Sequence, residues 1–249
     1  MIDELSYSDL NWYRGIETSP FMRSQAKQLF HHYAPEFKNE FYDYVPKDIE
    51  PGQVLLMGNV INELPITETY KLIDKLDPKV MIILDIGTKE VFKTLLELRD
   101  RMTSMGYSIE YPCRMEKSCP MKDSENWCHQ KIFVTQDQKW ERLGQKLKND
   151  RRTLPFNSFV FVKNTKIESS QKIRLIRLFP QSKFGVSFEG CDDKGEIHQY
   201  EILKKTLSTH QWKKIKKMNW GELIYYESFE EKGNKRRLKL LSDFGHEDD

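Results

Sequence analysis

The stretch Y-P-C-R-M-E-K-S-C-P-M-K-D-S-E-N-W-C-H, residues 111–129, is the part around which this 249-residue chain is organised. It holds Cys113, Cys119 and Cys128, three of only four cysteines, and the fourth, Cys191, lies far downstream. Core cysteines usually stand singly in apolar runs, whereas these are flanked by charged residues and two prolines. The stretch therefore predicts a polar loop in which the thiols do more than fill a core.

Three interpretations of these thiols are open: unrelated free thiols, disulfides, or a metal site. No signal peptide opens the chain, and this disfavours the disulfides that are typical of secreted proteins. Clustered thiolates bind tetrahedral zinc or an iron–sulfur cluster. The clustering of three cysteines in one short loop favours a metal site.

The spacing bears on which metal is bound. The loop reads Cys-x5-Cys-x8-Cys and contains none of the short C-x2-4-C pairs that structural zinc sites use. A wide loop with one distant ligand suits a four-iron cubane better, with zinc as the alternative. His129 could replace one thiolate, but with four cysteines available we expect it to stand beside the metal site without binding the metal.

Composition indicates a soluble, globular protein with a charged surface. Charged residues make up 31% of the chain, mean hydropathy is −0.69, and no apolar run is long enough to span a membrane. The acidic start lacks the pattern of a transit peptide. Net charge is only +2, but the basic residues concentrate in 142–152 and 204–217. This asymmetry is a mild indication of nucleic-acid binding, and we expect a monomer without a membrane partner.

The first half alternates strands with helices, which predicts a parallel α/β sheet with ligand loops at the carboxyl ends of the strands. Expected strands end at Glu17, Gly58, Leu84 and Tyr111. Glu17, Asn59, Asp85 and the cysteine loop would then share one edge. An acid at the tip of the second strand of a nucleoside-binding fold holds ribose hydroxyls, although Glu17 could equally be a helix-dipole partner.

Beyond Cys128 the pattern changes to a basic amphipathic helix over 137–149, followed by short strands with Gly and Asp turns. This predicts a small antiparallel barrel or sheet. The expected organisation is an α/β domain (1–112), the cysteine loop (113–135), a basic helix with a β-rich domain (136–226) and a charged, flexible tail (227–249).

Several short motifs run in one order along most of the chain. They are G-I-E-T-S-P-F-M (15–22), N-V-I-N-E-L-P (59–65), D-I-G-T (85–88), P-C-R-M-E-K-S-C-P-M (112–121), W-C-H (127–129), G-C (190–191) and M-N-W-G-E (218–222). With them the chain resembles the methyltransferase-like assembly factors of the small ribosomal subunit, found in mitochondria and some bacteria. The cysteine loop followed by W-C-H is the specific part.

This resemblance implies a class I S-adenosylmethionine methyltransferase fold with an inserted cysteine loop. It gives Cys113, Cys119, Cys128 and Cys191 the role of binding a 4Fe–4S cluster. It implies small-subunit rRNA and ribosomal proteins as partners, in the bacterial cytoplasm or, alternatively, the mitochondrial matrix. The family usually has E-P-G-T in place of D-I-G-T and W-C-H-F in place of W-C-H-Q, and neither departure affects a cysteine.

The Gly-rich cofactor loop of class I methyltransferases would precede the strand that ends in Glu17. Only about eleven residues precede that strand here, and none is glycine. The expected fold is therefore an incomplete methyltransferase-like, mostly parallel sheet that lacks its first strand. Without the loop we expect no tight binding of S-adenosylmethionine.

Two functions follow as hypotheses. The first is a non-catalytic rRNA-binding assembly factor. The second is an active rRNA methyltransferase that uses Glu17 for ribose and the loop 59–63 near the target base. In the first hypothesis, basic residues would contact RNA phosphates; the alternative is that they only form a solvated face. These residues are Arg151, Arg152, Lys213, Lys214, Lys216 and Lys217.

Overall fold

A computed structural model describes residues 12–48, 54–113, 117–135, 137–147, 153–164 and 171–240. The chain divides into two compact units, Met1–Pro51 and Gly52–Asp249. The division therefore falls earlier than the boundary expected at residue 112. Within the described residues three sheets alternate with helices, which makes the protein a mixed α/β structure.

The first unit is a βαβ motif. Strand β1 (Trp12–Ile16) pairs in parallel with β2 (Lys38–Tyr42), and helix α1 (Pro20–Tyr33) connects them. Helix α1 begins as the sequence predicts, because the Ser19 hydroxyl accepts the Met22 amide and Pro20 occupies the first turn. The rings of Tyr13 and Phe30 stack at 4.3 Å. Strand β2, rich in polar residues, was not predicted.

The second unit begins with a sheet of mixed direction. Its elements are β3 (Val54–Gly58), α2 (Ile66–Leu76), β4 (Val80–Ile86), α3 (Lys89–Ser104), β5 (Tyr107–Tyr111), β6 (Gln130–Phe133), α4 (Gln138–Lys146) and β7 (Thr153–Lys163). The strand order is β3-β4-β7-β5, with β6 also paired to β7. Strands β3 and β4 are parallel, whereas β7 runs antiparallel to both β4 and β5.

The position of β7 corrects the expectation of a mostly parallel sheet. The sequence assigned this strand to the C-terminal β-rich domain, but it lies in the middle of the sheet. Phe159 and Phe161 face the core at 4% and 0% exposure, and Val160 and Val162 are half-buried on the other face. A strand apolar on both faces is stable only in the middle of a sheet, and therefore β7 separates β4 from β5.

Helices α2 and α3 supply the core on one face of this sheet. Ile73, Leu95, Leu98 and Met102 are fully buried with the inward residues of β4 and β7. The apolar stripe at i, i+3, i+4 and i+7 in α3 explains this packing. The opposite face carries exposed apolar side chains at Leu56, Leu84 and Ile86.

The remaining elements close into a five-stranded barrel. They are β8 (Lys172–Leu178), β9 (Gly185–Asp192), β10 (Ile197–Leu203), α5 (Thr209–Lys217), β11 (Leu223–Lys232) and β12 (Lys235–Leu240). The order β8-β9-β10-β12-β11 closes through β11 onto β8, and only the β10–β12 pairing is parallel. With α5 between the third and fourth strands, this is the topology of an oligonucleotide/oligosaccharide-binding (OB) barrel. The sequence predicted a barrel-like domain here, but not its closure by β12.

The end of the barrel corrects the expected flexible tail. Residues 227–240 are described as strand β11 and strand β12, joined by a turn at Gly233, and residues 241–249 lie outside the described residues. Leu238 and Leu240 are buried in the barrel core at 2% and 7% exposure. Opposite charges also pair across the two strands, as between Arg236 and Glu231 at 3.0 Å. The high charge of this segment favoured the prediction of a flexible tail, although one face of β12 is buried.

None of the described helices is both long and apolar enough to cross a membrane.

Candidate metal centre

The cysteine loop leaves and rejoins one edge of the sheet. Tyr111 at the end of β5 pairs with Val160, and Gln130 at the start of β6 pairs with Phe156. Both strands lie on the side of β7 that β4 does not occupy, because Phe156 pairs with Ile86 and Gln130 at once. Four residues of β7 separate these points, roughly 13 Å. The two ends of the cysteine loop therefore lie on the same side of β7, with Cys113 and Cys128 close to them.

All four cysteines line one cavity, together with residues from β7, α3 and the barrel. Cys113, Cys119 and Cys128 come from the loop, while Cys191 stands on β9 of the barrel. Val186 and Phe188 on β9 point into the barrel, so the alternation of the strand turns Cys191 outward. Each thiol is free and half-buried. The structure brings together the cysteines that the sequence singled out, and their role as ligands stays a prediction.

The cavity wall is largely apolar. Phe92, Leu96 and Met121 form a buried cluster against which Cys119 and Cys128 pack. Burial raises the pKa of the Cys113 and Cys191 thiols and raises the pKa of Cys119 to about 12. Burial therefore favours the protonated form of these three thiols, and a bound metal would displace their protons.

Two buried arginines face the same cavity. The side chain of Arg174 on β8 is 3% exposed, and its Nε donates a hydrogen bond to Cys128 Sγ at 3.1 Å. Its Nη1 donates to the carbonyls of Gly221 at 2.8 Å and Pro112 at 3.3 Å. Burial acts to lower the pKa of Arg174, but Cys128, Tyr111 and Cys113 raise it above its usual value. The guanidinium therefore stays charged beside the thiols.

Arg99 on α3 is the second buried cation, at 1% exposure. It donates to the Lys117 carbonyl in the loop and pairs with Asp100 at 2.8 Å. Sequence reasoning missed both arginines. The only available signal was a cation in each of two amphipathic segments, and such a residue ordinarily faces solvent. Positive charges at this depth would offset the negative charge of thiolates bound to a metal.

The separation of the sulfur atoms bears on which metal the site would suit. Among the described residues, no three of the cysteine sulfurs lie within 4.8 Å of one another. A tetrahedral zinc site with Zn–S bonds of about 2.3 Å would bring its sulfurs to about 3.8 Å. In a cubane each thiolate binds a different iron, so the sulfurs stand farther apart. The four thiols with their buried cations fit an iron–sulfur cluster.

Three of the short motifs contact one another beside this cavity. The Trp127 indole donates to the carbonyl of Gly87 at 3.0 Å and thereby joins W-C-H to D-I-G-T. The His129 ring lies 5.4 Å from both Trp127 and Trp220. Burial lowers the pKa of His129, which favours a neutral ring. Lys131 lies over the Trp220 ring at 3.4 Å, so M-N-W-G-E belongs to the same contact.

The acids predicted at the sheet edge hold backbone amides. Asp85 is 1% exposed, and its two carboxylate oxygens accept the amides of Ile61 and Ile86, both at 2.8 Å. Asn59 follows β3, Asp85 is the penultimate residue of β4 and Cys113 comes two residues after β5, so these three lie at the same end of three parallel strands. Glu17, in the first unit, accepts the Ser19 amide at 2.7 Å, as a residue stabilising the start of α1 would.

The predicted RNA-contacting lysines lie on α5. Ile215 anchors this helix in the barrel core at 0% exposure, and Lys213, Lys216 and Lys217 are exposed, with Lys214 half-buried. Arg151 and Arg152 lie outside the described residues. The anchoring by Ile215 leaves Lys213, Lys216 and Lys217 on the outer face of α5, and their contact with RNA stays a prediction.

A second group of metal-ligating atoms, from Asp192, Glu196 and His198, lies within 4.8 Å on the β9–β10 turn. Asp192 Oδ1 accepts the amides of Lys194 and Glu196, and its Oδ2 lies 3.3 Å from Arg236. A guanidinium in this position already balances the carboxylate. The group therefore stabilises the turn.

The fold and the site define a class: a mixed α/β sheet and an OB-type barrel that enclose a four-cysteine centre. The particular family follows from a family-model comparison. The model described as mitochondrial small ribosomal subunit Rsm22 matches residues 4–225, and the chain belongs to this family. No curated protein matches the chain.

Proposed function

We propose that this protein is a small-ribosomal-subunit assembly or translation factor that binds rRNA and holds a structural 4Fe–4S cluster. Membership of the Rsm22 family implies a function associated with the small ribosomal subunit. Its partners would then be small-subunit rRNA and ribosomal proteins. The protein would act where that subunit is assembled, in the bacterial cytoplasm or, in line with the mitochondrial subunit of the family description, in the mitochondrial matrix.

The cluster proposal rests on one observation: four thiols from the loop and the barrel converge beside two buried guanidinium groups. Cys113, Cys119, Cys128 and Cys191 would hold the cluster. When bound, it supplies four iron–thiolate bonds that cross-link the sheet to the barrel. Arg174 and Arg99 would offset its negative charge, and the apolar wall of Phe92, Leu96 and Met121 would keep water away.

Metal analysis of anaerobically purified protein tests the cluster. About four irons and four sulfides per chain are expected, with the broad brown absorption of a cubane. Cys128→Ser should lose most of the iron, whereas the control Ser124→Ala in the same loop should keep it. If protein from cells grown with ample iron contained stoichiometric zinc and no iron, the cluster proposal would be wrong and the site would be a structural zinc site.

The rRNA proposal rests on the cationic face of α5. Changing Lys213, Lys214, Lys216 and Lys217 to Glu should weaken binding to small-subunit rRNA. The salt slope should flatten by about two to four units, because each lost phosphate contact removes about 0.7–0.9. The matched control changes four lysines of the sheet region to Glu: Lys71, Lys75, Lys79 and Lys93. If the α5 variant and the control variant had the same rRNA affinity and the same salt slope, α5 would be excluded as the rRNA-binding surface.

Methyl transfer is the alternative activity. Its candidate ribose ligand, Glu17, holds the Ser19 amide, and Asp85 holds two further amides. Both oxygens of Asp85 therefore already accept backbone amides, which disfavours Asp85 as a ribose ligand, and Glu17 already accepts one amide through Oε1. Calorimetry is expected to show no micromolar binding of S-adenosylmethionine, and such binding would favour the enzyme.

A further inference from the structure

Three segments meet at one end of the barrel. They are the β8–β9 loop (179–184), the short 3-10 turn Lys204–Thr206, and α5. The Lys204 amide donates to the Phe184 carbonyl at 2.8 Å, and the Gln181 side chain donates to the Lys216 carbonyl at 3.2 Å. These bonds hold the three segments as one surface, which we call the barrel-end surface.

The barrel-end surface is strongly cationic. Within the described part of the chain, its exposed lysines have no carboxylate partner within 4.0 Å, unlike the paired cations of β12. They are Lys183, Lys204, Lys205, Lys213, Lys216 and Lys217. Six unpaired cations on one surface repel one another, and a polyanion would relieve that repulsion.

Aromatic rings stand among these lysines. Phe184 is 69% exposed at the last position of the β8–β9 loop, and Lys183 Nζ lies 5.0 Å from its ring centroid. The half-buried Trp212 has the Nζ atoms of Lys204 and Lys216 at 5.7 Å and 5.9 Å. An exposed phenyl ring with a lysine beside it, on a surface that carries further lysines, combines a stacking platform with phosphate-binding groups.

The outer face of β9 and β10 is less suited to RNA, although OB barrels commonly bind oligonucleotides there and on the loop between their first two strands. Cys191 on that face turns toward the metal centre. The same face carries Glu189 and Glu201, the latter paired with Arg237 at 2.8 Å. Carboxylates would repel phosphates, whereas the β8–β9 loop, which is the first-to-second-strand loop, carries Lys183 and no acidic residue.

We infer that the barrel-end surface binds single-stranded RNA, with phosphates on its lysines and an unpaired base stacked on Phe184. The inference rests on the proposed rRNA binding and adds the class of RNA and the residue that selects it. A duplex offers phosphates to the lysines but keeps its bases paired and stacked. The surface should therefore favour unpaired segments over helices.

The test measures binding of the full-length protein, with its metal loaded, to a 12-nucleotide oligouridylate and to a 12-base-pair RNA duplex. Phe184→Ala should weaken oligouridylate binding about 5- to 100-fold, the range of one base–aromatic stack, and leave duplex binding unchanged. Phe184→Trp, which keeps an aromatic ring at this position, should bind the oligouridylate about as tightly as the parent protein. Phe133→Ala is the control, because Phe133 is equally exposed at 67% but lies on β6. Unchanged melting temperatures would show that the variants fold.

The outcomes separate this inference from the proposed function. Unchanged oligouridylate binding in Phe184→Ala, or an equal loss for the duplex, would overturn base stacking at Phe184. The quadruple lysine variant would then still report on rRNA binding by α5. If the intact protein bound oligouridylate, duplex and small-subunit rRNA no better than a neutral protein, both proposals would fail.

Discussion

At the scale of single residues, Gly87 shows why one motif has its glycine. A Cβ at this position would lie 2.5 Å from the Pro155 carbonyl carbon and 2.6 Å from the Phe156 nitrogen. The Gly87 amide donates to the Pro155 carbonyl at 3.1 Å, and its own carbonyl accepts the Trp127 indole. Only glycine lets β7 approach so closely while the cysteine loop is tied to the end of β4.

We predict that Gly87→Ala destabilises the protein by about 1–3 kcal/mol, because strand β7 must shift to admit the methyl group. Urea denaturation measures the loss. Gly58→Ala is the matched control, since no atom lies within 4 Å of a Cβ placed there. Equal free energies of unfolding for the two variants would mean that β7 shifts to admit the methyl group without a loss of stability.

Arg174 acts through three contacts at once. Its guanidinium joins Cys128, the loop carbonyl of Pro112 and the Gly221 carbonyl, so it ties the loop to the barrel even before a metal binds. Gly221 has φ +91°, a conformation that suits glycine and turns its carbonyl toward Arg174. The glycine of M-N-W-G-E thus serves the metal centre indirectly.

We predict that Arg174→Met costs about 2–4 kcal/mol, because two buried carbonyls lose their donors. Iron content should also fall, since the charge opposite the thiolates is removed. Arg177→Met, at an exposed position on the same strand, should change neither quantity. Full iron content in Arg174→Met would contradict a charge-balancing role.

At the scale of elements, α5 is a short helix whose N-terminus is stabilised by a capping box. The Ser208 hydroxyl accepts the Gln211 amide, and the Gln211 side chain accepts the Ser208 amide at 2.9 Å. This capping box offsets the weak helix-forming tendency of nine residues. Ile215 and Met218 then hold the helix on the barrel, which fixes the position of its lysines.

We predict that Ser208→Ala lowers stability by about 1 kcal/mol, whereas Ser208→Asp, which can still cap the helix, stays close to the parent. Thermal unfolding measures both variants. Amide exchange should become faster in residues 209–212 of the Ala variant. Equal exchange in the two variants would show that barrel packing alone maintains the first turn.

At the scale of the whole molecule, the second unit contains a sheet and a barrel whose hydrophobic cores are separate. The four cysteines lie where these two parts meet, three on the loop and Cys191 on β9. A cluster bound there would link the stability of the sheet to that of the barrel. Its binding free energy would then be shared by both parts.

We predict that Cys191→Ser lowers the melting temperature of metal-loaded protein by roughly 6–12 °C, the shift that a loss of about 3 kcal/mol gives in a chain of this size. In metal-free protein the parent and the variant should melt together, because serine nearly matches the volume of the thiol. A metal-loaded variant that melts like the parent and keeps its iron would show that Cys191 is not a ligand.

The sequence alone predicted the features that depend on local interactions along the chain. The clustered thiols, the basic segment 204–217 and the alternation of strands and helices in the first half depend on neighbours within a few residues, so pattern and composition predicted them. The tertiary structure decided what depends on distant partners. It placed β7 between β4 and β5, closed the barrel with the charged strand β12, and buried Arg174 and Arg99 beside the thiols. A cation on an outward face looks the same in sequence whether that face meets water or another part of the chain, and only the packing of barrel against loop distinguishes the two.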